Sequence, residues 1–308
     1  MFDFLHFLSK KINLFNINSY MKHIEFTCEV ISPLILNGAL GNDPELRPPA
    51  IKASLRYWWR ALHGHLSVEN LKRLKEDEEK IFGSTKNRSS ILIKVFHPVE
   101  EEIYTTTKLL PHRVDNNFSA NGIGKGVEFK VRLSILKNEI SNEALKNLFL
   151  LTTIIGGLGK RSRRGFGALI VTKIDNIPYE TPVTIKNLFA IIDSIVPYYY
   201  QIENDIIIAH KLNNPQYKVE YPVICKIQIA KISKTLKDIS SATHDIKRIN
   251  YKDYGISIGS GSPRLASPIY VSMIAGDFPI ITTLTLKSKQ GWVNVNVQNE
   301  LKDRILEE

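Results

Sequence analysis

The order in which period-2 and period-3.6 apolar patterns follow one another between residues 24 and 174 limits the fold more tightly than anything else in the chain. Residues 24–32 alternate Ile24, Phe26, Cys28 and Val30 against Glu25, Thr27 and Glu29, which predicts a half-buried strand. A loop punctuated by Gly38, Gly41, Pro44 and the Pro48-Pro49 pair then leads into a helix over 51–66. Ile51, Leu55, Trp58, Trp59 and Leu62 share one face of it; one tryptophan is expected in the core and the other at an interface. A mixed-charge helix over 68–81 reads as a solvent-facing cover, and 90–97 as a second strand. A long connection, 98–126, precedes a third strand over 127–136; such connections commonly contact a partner. Ser141 caps a helix running to residue 155, and a fourth strand spans 167–174.

This order is β-α-β-β-α-β, the ferredoxin-like split βαβ plan. Residues 175–182, with Pro178 and Pro182, read as a linker. Beyond them the patterns predict a helix near 184–195, a strand near 221–231 and helical or irregular chain around 240–254. A glycine- and serine-rich run at 255–262, strands at 269–275 and 279–287, and a helix near 297–306 complete the chain. The predicted fold class is therefore α+β: two ferredoxin-like (RRM-like) domains in tandem, over 21–176 and 183–308, the second degenerate. Residues 1–20 form an N-terminal extension that lacks a signal-peptide cleavage site, and Met21, directly before the first strand, is a candidate native start. Cys28 and Cys225 sit in separate strands and read as reduced core residues, which fits a cytoplasmic protein. No apolar run approaches the roughly 20 residues of a membrane span.

Gly156-Gly157-Leu158-Gly159-Lys160-Arg161-Ser162-Arg163-Arg164-Gly165-Phe166-Gly167 carries five glycines and four cations directly after an apolar helix. Either it is a solvated basic turn, or its backbone N–H groups and cations cradle an anion. A phosphate-binding P-loop is excluded, because Gly159-Lys160 is followed by Arg161 and the earlier glycine position is Ile154. A dinucleotide fingerprint is excluded as well, because Ser162 stands at its third glycine position. Arg164-Gly165-Phe166-Gly167 matches half of an RNA-recognition consensus, but Ala168 and Val171 occupy the later aromatic positions. A second basic feature lies on the first helix, where Lys52, Arg56, Arg60 and His63 share a face and no acid occurs between Lys52 and Ser67. With a net charge of +10 and a pI near 9.4, these features point to an acidic partner, most simply the phosphates of a nucleic acid.

Catalytic signals are sparse. His63, His65 and His112 are candidates for a general base, Glu76–Glu79 reads as a solvated helix face, and no Cys/His spacing suits zinc. No cofactor or metal is expected.

Together, Arg47-Pro48-Pro49-Ala50-Ile51-Lys52-Ala53-Ser54-Leu55-Arg56-Tyr57-Trp58-Trp59-Arg60, the glycine-rich stretch and Arg264-Leu265-Ala266-Ser267-Pro268 resemble the RAMP proteins of CRISPR systems. The nearest resemblance is to the first-subunit family of Cmr (type III-B) effector complexes, over about residues 22–290. It implies two ferredoxin-like domains and a place in a multi-subunit complex beside the backbone RAMP subunits. It also implies contact with guide RNA and target RNA, with the subunit capping the guide's 3′ end and cleavage left to the backbone subunits. Carried over, the glycine-rich loop contributes Gly157, Gly159, Lys160, Arg161, Arg163 and Arg164, the basic helix Lys52, Arg56 and Arg60, and the later segment Arg264. A guide-processing, metal-independent endoribonuclease on the same fold, using His63, His65 or His112, is the rival expectation.

Overall fold

The computed structural model describes residues 22–38, 43–64, 66–96, 103–113, 115, 118–181, 183–210, 221–249, 254–262, 264–285 and 293–306. The extension 1–20 and its candidate start Met21 lie outside them. Strand β1 (His23–Val30) is followed by α1 (Pro48–His63), α2 (Leu66–Phe82) and β2 (Ile91–Phe96). The long connection holds a hairpin of β3 (Tyr104–Lys108) and β4 (Ser119–Ile123). Then come β5 (Glu128–Ile135), α3 (Asn142–Ile155), β6 (Leu169–Ile174) and the two-residue β7 (Ile177–Pro178). The second half runs α4 (Ile185–Ile195), β8 (Tyr200–Glu203), β9 (Ile206–Ala209), β10 (Val223–Ile229), α5 (Leu236–Ile249), α6 (Tyr254–Ile258), β11 (Ile269–Ile274), β12 (Phe278–Thr285) and α7 (Val295–Leu306).

The first sheet has the antiparallel order β2-β5-β1-β6-β7, with β1 in the middle where its alternation buries Phe26, Cys28 and Val30. The stretch read as a linker is instead stitched to this sheet. Asp175 and Asn176 both take positive φ, as a tight hairpin turn requires, β7 pairs with β6, and the Thr181 hydroxyl bonds the Val171 backbone. The long connection carries the polar hairpin β3–β4, which the sequence reading did not resolve into strands; β4 reaches back to the loop after β1 through a bridge between Leu34 and Ile123.

The second sheet has the order β11-β12-β10-β9-β8. The place beside β10 is taken by a hairpin that precedes it in sequence, turning at Asn204 and Asp205, both at positive φ. Helices α1 and α3 lie between the two sheets, and α5 and α7 cover the outer side of the second. That layering explains why β11, Ile-Tyr-Val-Ser-Met-Ile, is buried at all six residues and shows no alternation. One apolar cluster runs unbroken from Ile24 in the first sheet through Trp58 and Leu148 to Leu284 in the second. Both tryptophans expected to divide between core and interface are buried: Trp58 packs on Tyr270, and Trp59 against Phe82 and His63. Cys28 and Cys225 are free, and burial raises both thiols, Cys225 to about 12. Among the described residues no helix is long and apolar enough to cross a membrane.

Candidate nucleic-acid interface

The glycine-rich stretch is a backbone knot. At Gly159 (φ 84°) a side-chain Cβ would lie 2.2 Å from the Ile35 carbonyl oxygen, and at Gly167 (φ 67°) 1.9 Å from that of Leu158. Only glycine tolerates both the torsion and the approach. The amides expected to cradle an anion are engaged within the protein. Leu158 N–H donates to Gly167 at 2.9 Å, Lys160 to Ile35 at 2.8 Å, and Gly167 to Pro33 at 3.0 Å. Gly165 donates to Val271 of β11 at 2.8 Å, and Arg164 to Arg161 at 2.8 Å. The cradle reading is therefore corrected for those five amides: they fix the loop, including Gly157 and Gly159, onto both halves of the molecule.

The cations of the stretch divide by environment. Arg164 donates to the carbonyls of Arg163, Ile258 and Ile269 and to the Ser267 hydroxyl, and desolvation lowers its pKa to about 10. It holds the second half in place. Arg163 donates to the Ser267 carbonyl and lies 4.6 Å over the Tyr270 ring. Arg161 takes φ 61°, and burial lowers the pKa of its guanidinium. Lys160 is exposed. Arg161, Arg163 and Arg164 meet Lys247 of α5 and the exposed Arg264 around a groove of about 880 Å³, floored by Gly259–Gly261 and Leu265–Ser267. The reciprocal bonds of Ser260 with Leu265 pin that floor. Among the described residues no carboxylate lines the groove.

The first helix does not join them. Arg56 and Arg60 both pair with Glu78 of α2, Arg56 also donates to the Gly83 carbonyl, and neither they nor Lys52 line the groove. The acid-free run of α1 is thus neutralised from another helix. Glu78, read as part of a solvated face, is buried between the two. Burial first, then Arg56, lowers the pKa of Lys52.

Residues that sequence reasoning passed over complete the basic surface. Arg113, His244 and Lys247 converge with His112 and Arg161 around an adjoining pocket of about 220 Å³. Their signal was the basic face His244–Lys247–Arg248 at i, i+3, i+4, obscured because the pattern there left helix and irregular chain undecided. His112 Nδ1 lies 2.5 Å from the Ser240 hydroxyl, and its ring stacks on His244 at 4.7 Å. His63 is held by the Trp59 carbonyl at 2.8 Å and stacks on that indole, and it does not line the groove. His65 lies outside the described residues. Among the described residues, no group of three His, Cys, Asp or Glu could hold a metal ion.

Comparison with known proteins bears on this geometry. The model of the RAMP superfamily matches residues 27–170. The CRISPR system Cmr subunit Cmr1-2 of Pyrococcus furiosus is 30% identical over 174 residues, covering 47% of this chain and 93% of that protein. Cmr1-1 of the same organism is 33% identical over 165 residues, and the match spans only 47% of its length. Among solved structures, apo Cmr1 from Pyrococcus furiosus superposes with a TM-score of 0.58 at 19% identity, over 92% of this chain and 97% of that one. A chain of the type III-B Cmr-beta complex bound to cognate target RNA gives 0.56 at 12%, over 92% and 99%.

Proposed function

The chain belongs to the RAMP superfamily as a Cmr1-like protein, and from that premise we propose that it is a non-catalytic, RNA-binding subunit of a type III-B Cmr complex. In this reading it assembles with the backbone RAMP subunits in the cytoplasm, caps the 3′ end of the guide RNA and contributes to holding target RNA. The molecule is taken as two ferredoxin-like halves, 21–176 and 183–308. The second is degenerate, because a preceding hairpin fills the place of its fourth strand.

The observation that carries the proposal is the groove itself. Five cations from two halves of the chain surround one open channel with no described carboxylate among them, and a polyanion balances that charge. Arg161, Arg163, Lys247 and Arg264 contact phosphate, Lys160 extends the basic rim, and Arg164 positions the loop. Such contacts hold a strand without reading its sequence. Arg56 and Arg60 are assigned to the α1–α2 packing and not to RNA.

The test is the binding of labelled single-stranded RNA over a salt series. Arg161→Ala combined with Arg264→Ala should weaken binding alike across sequences and shrink the salt slope by about 0.7 for each phosphate no longer neutralised. Unchanged affinity and slope at low salt would reject the groove as the RNA site.

A further inference from the structure

We propose that the pocket between residues 110–113, the glycine-rich stretch and α5 is a binding site for a single phosphate group of the RNA, held by Arg113, Arg161, His244 and Lys247. The proposal rests on the reading of the neighbouring groove as an RNA channel, since pocket and groove share Arg161, Arg164 and Lys247.

Three segments far apart in sequence bring nitrogen-bearing side chains to one cavity, and among the described residues no carboxylate lines it. Asp245, on the same helix, lies outside the lining and pairs with Arg304 of α7 at 3.9 Å, its charge still reaching His112, and Arg248 adds a positive charge on α5. Nε2 of His112 is buried without a hydrogen-bond partner among the described residues, although the other ring nitrogen is engaged by Ser240. It is a polar group that the fold leaves unsatisfied, set beside the cavity rather than open to it. Gathering unneutralised cations also has a cost: burial, followed by Arg164 and Arg161, lowers Lys247 to about 8, and burial lowers His112.

The volume, about 220 Å³, falls below the roughly 300–1,000 Å³ of pockets that enclose drug-sized ligands. It is ample for a phosphate, and its lining of cations selects for one. Several acceptor oxygens on one small dianion match converging donors better than a lone carboxylate does. The geometry favours binding over cleavage. The two imidazoles stack at 4.7 Å on one side, whereas in-line phosphodiester cleavage places acid and base on opposite sides of phosphorus.

The experiment uses the full chain and a fluorescein-labelled oligoribonucleotide ending in either a 3′-hydroxyl or a 3′-phosphate, with inorganic phosphate as competitor. His244→Phe, which leaves every cation of the groove in place, should weaken RNA binding about tenfold, as expected when one charge-assisted hydrogen bond is removed, and weaken competition by phosphate. Should that variant fold poorly, Arg113→Gln, at an exposed position, should act in the same direction. Tighter binding of the 3′-phosphate RNA would assign the pocket to a strand end, and equal binding to an internal phosphodiester. If folded pocket variants bind RNA as the wild type does while Lys160→Ala with Arg264→Ala weakens it, the pocket proposal is overturned and the groove stands. If neither set matters, both fall.

Discussion

Lys247 stands at the edge of the groove with its ammonium partly withdrawn from water, 5.3 Å from the Tyr254 ring and near two arginines that repel it. Its pKa near 8 lies below the 10.5 of the free side chain, so between those values the folded chain binds fewer protons than the unfolded one. Stability therefore rises with pH across that interval, and the destabilisation is complete below pH 8. Replacing Lys247 with Met should raise the melting temperature at pH 7, by roughly 2–4 °C for each kcal/mol relieved. The gain should disappear near pH 10.5, the free side chain's own pKa; a melting temperature that falls at pH 7 would show that the ammonium stabilises the fold. Glu25 has the opposite sign. Hydrogen bonds from Lys130 and then Arg132 lower its pKa, so its contribution is present above pH 4.5 and fades as acid protonates it.

At the scale of elements, the glycine-rich stretch acts through its torsions more than its charge. Gly159→Ala combines positive φ with a Cβ pressed onto the Ile35 carbonyl, and should destabilise the chain by about 2–3 kcal/mol in denaturant titration. A destabilisation under half of that would mean the loop can shift. Much of this element was legible beforehand. The helix ending at residue 155, the glycine-rich stop and the strand after it follow from period and breaker residues, and the first strand lies within two residues of its expected limits. What the sequence hid was long-range pairing. Nothing near Arg56 and Arg60 indicated that Glu78, some 20 residues on, would turn inward to meet them, and nothing near Gly165 pointed to the β11 carbonyl. The short hairpins were missed for a different reason. Thr105–Thr107 and Asn121 are polar strands without an apolar face, and Asn204-Asp205 lacks the glycine that usually marks such a turn.

The whole molecule is layered sheet, helices, sheet, helices, and its two sheets share the middle helices. The larger apolar cluster draws on both halves through those helices. Unfolding should accordingly be one transition: tryptophan fluorescence, to which the buried Trp58 and Trp59 contribute, should coincide with far-ultraviolet circular dichroism in urea. Two separated midpoints would mean independent halves. The layering also explains why the second half was the harder to read. With β11 covered on both faces, its alternation vanishes, and the hairpin β8–β9 pairs with β10 although it precedes β10 in sequence.

The five loop amides already bound to carbonyls have a consequence in time. A loop held to Ile35, Pro33 and Val271 before any ligand arrives has no disorder left to lose when one docks. An RNA strand would then meet a rigid array of cations, and encounter would be governed by diffusion in a positive field rather than by waiting for the protein to rearrange. Association would slow steeply with added salt, and observed rates would rise in proportion to RNA concentration without reaching a plateau.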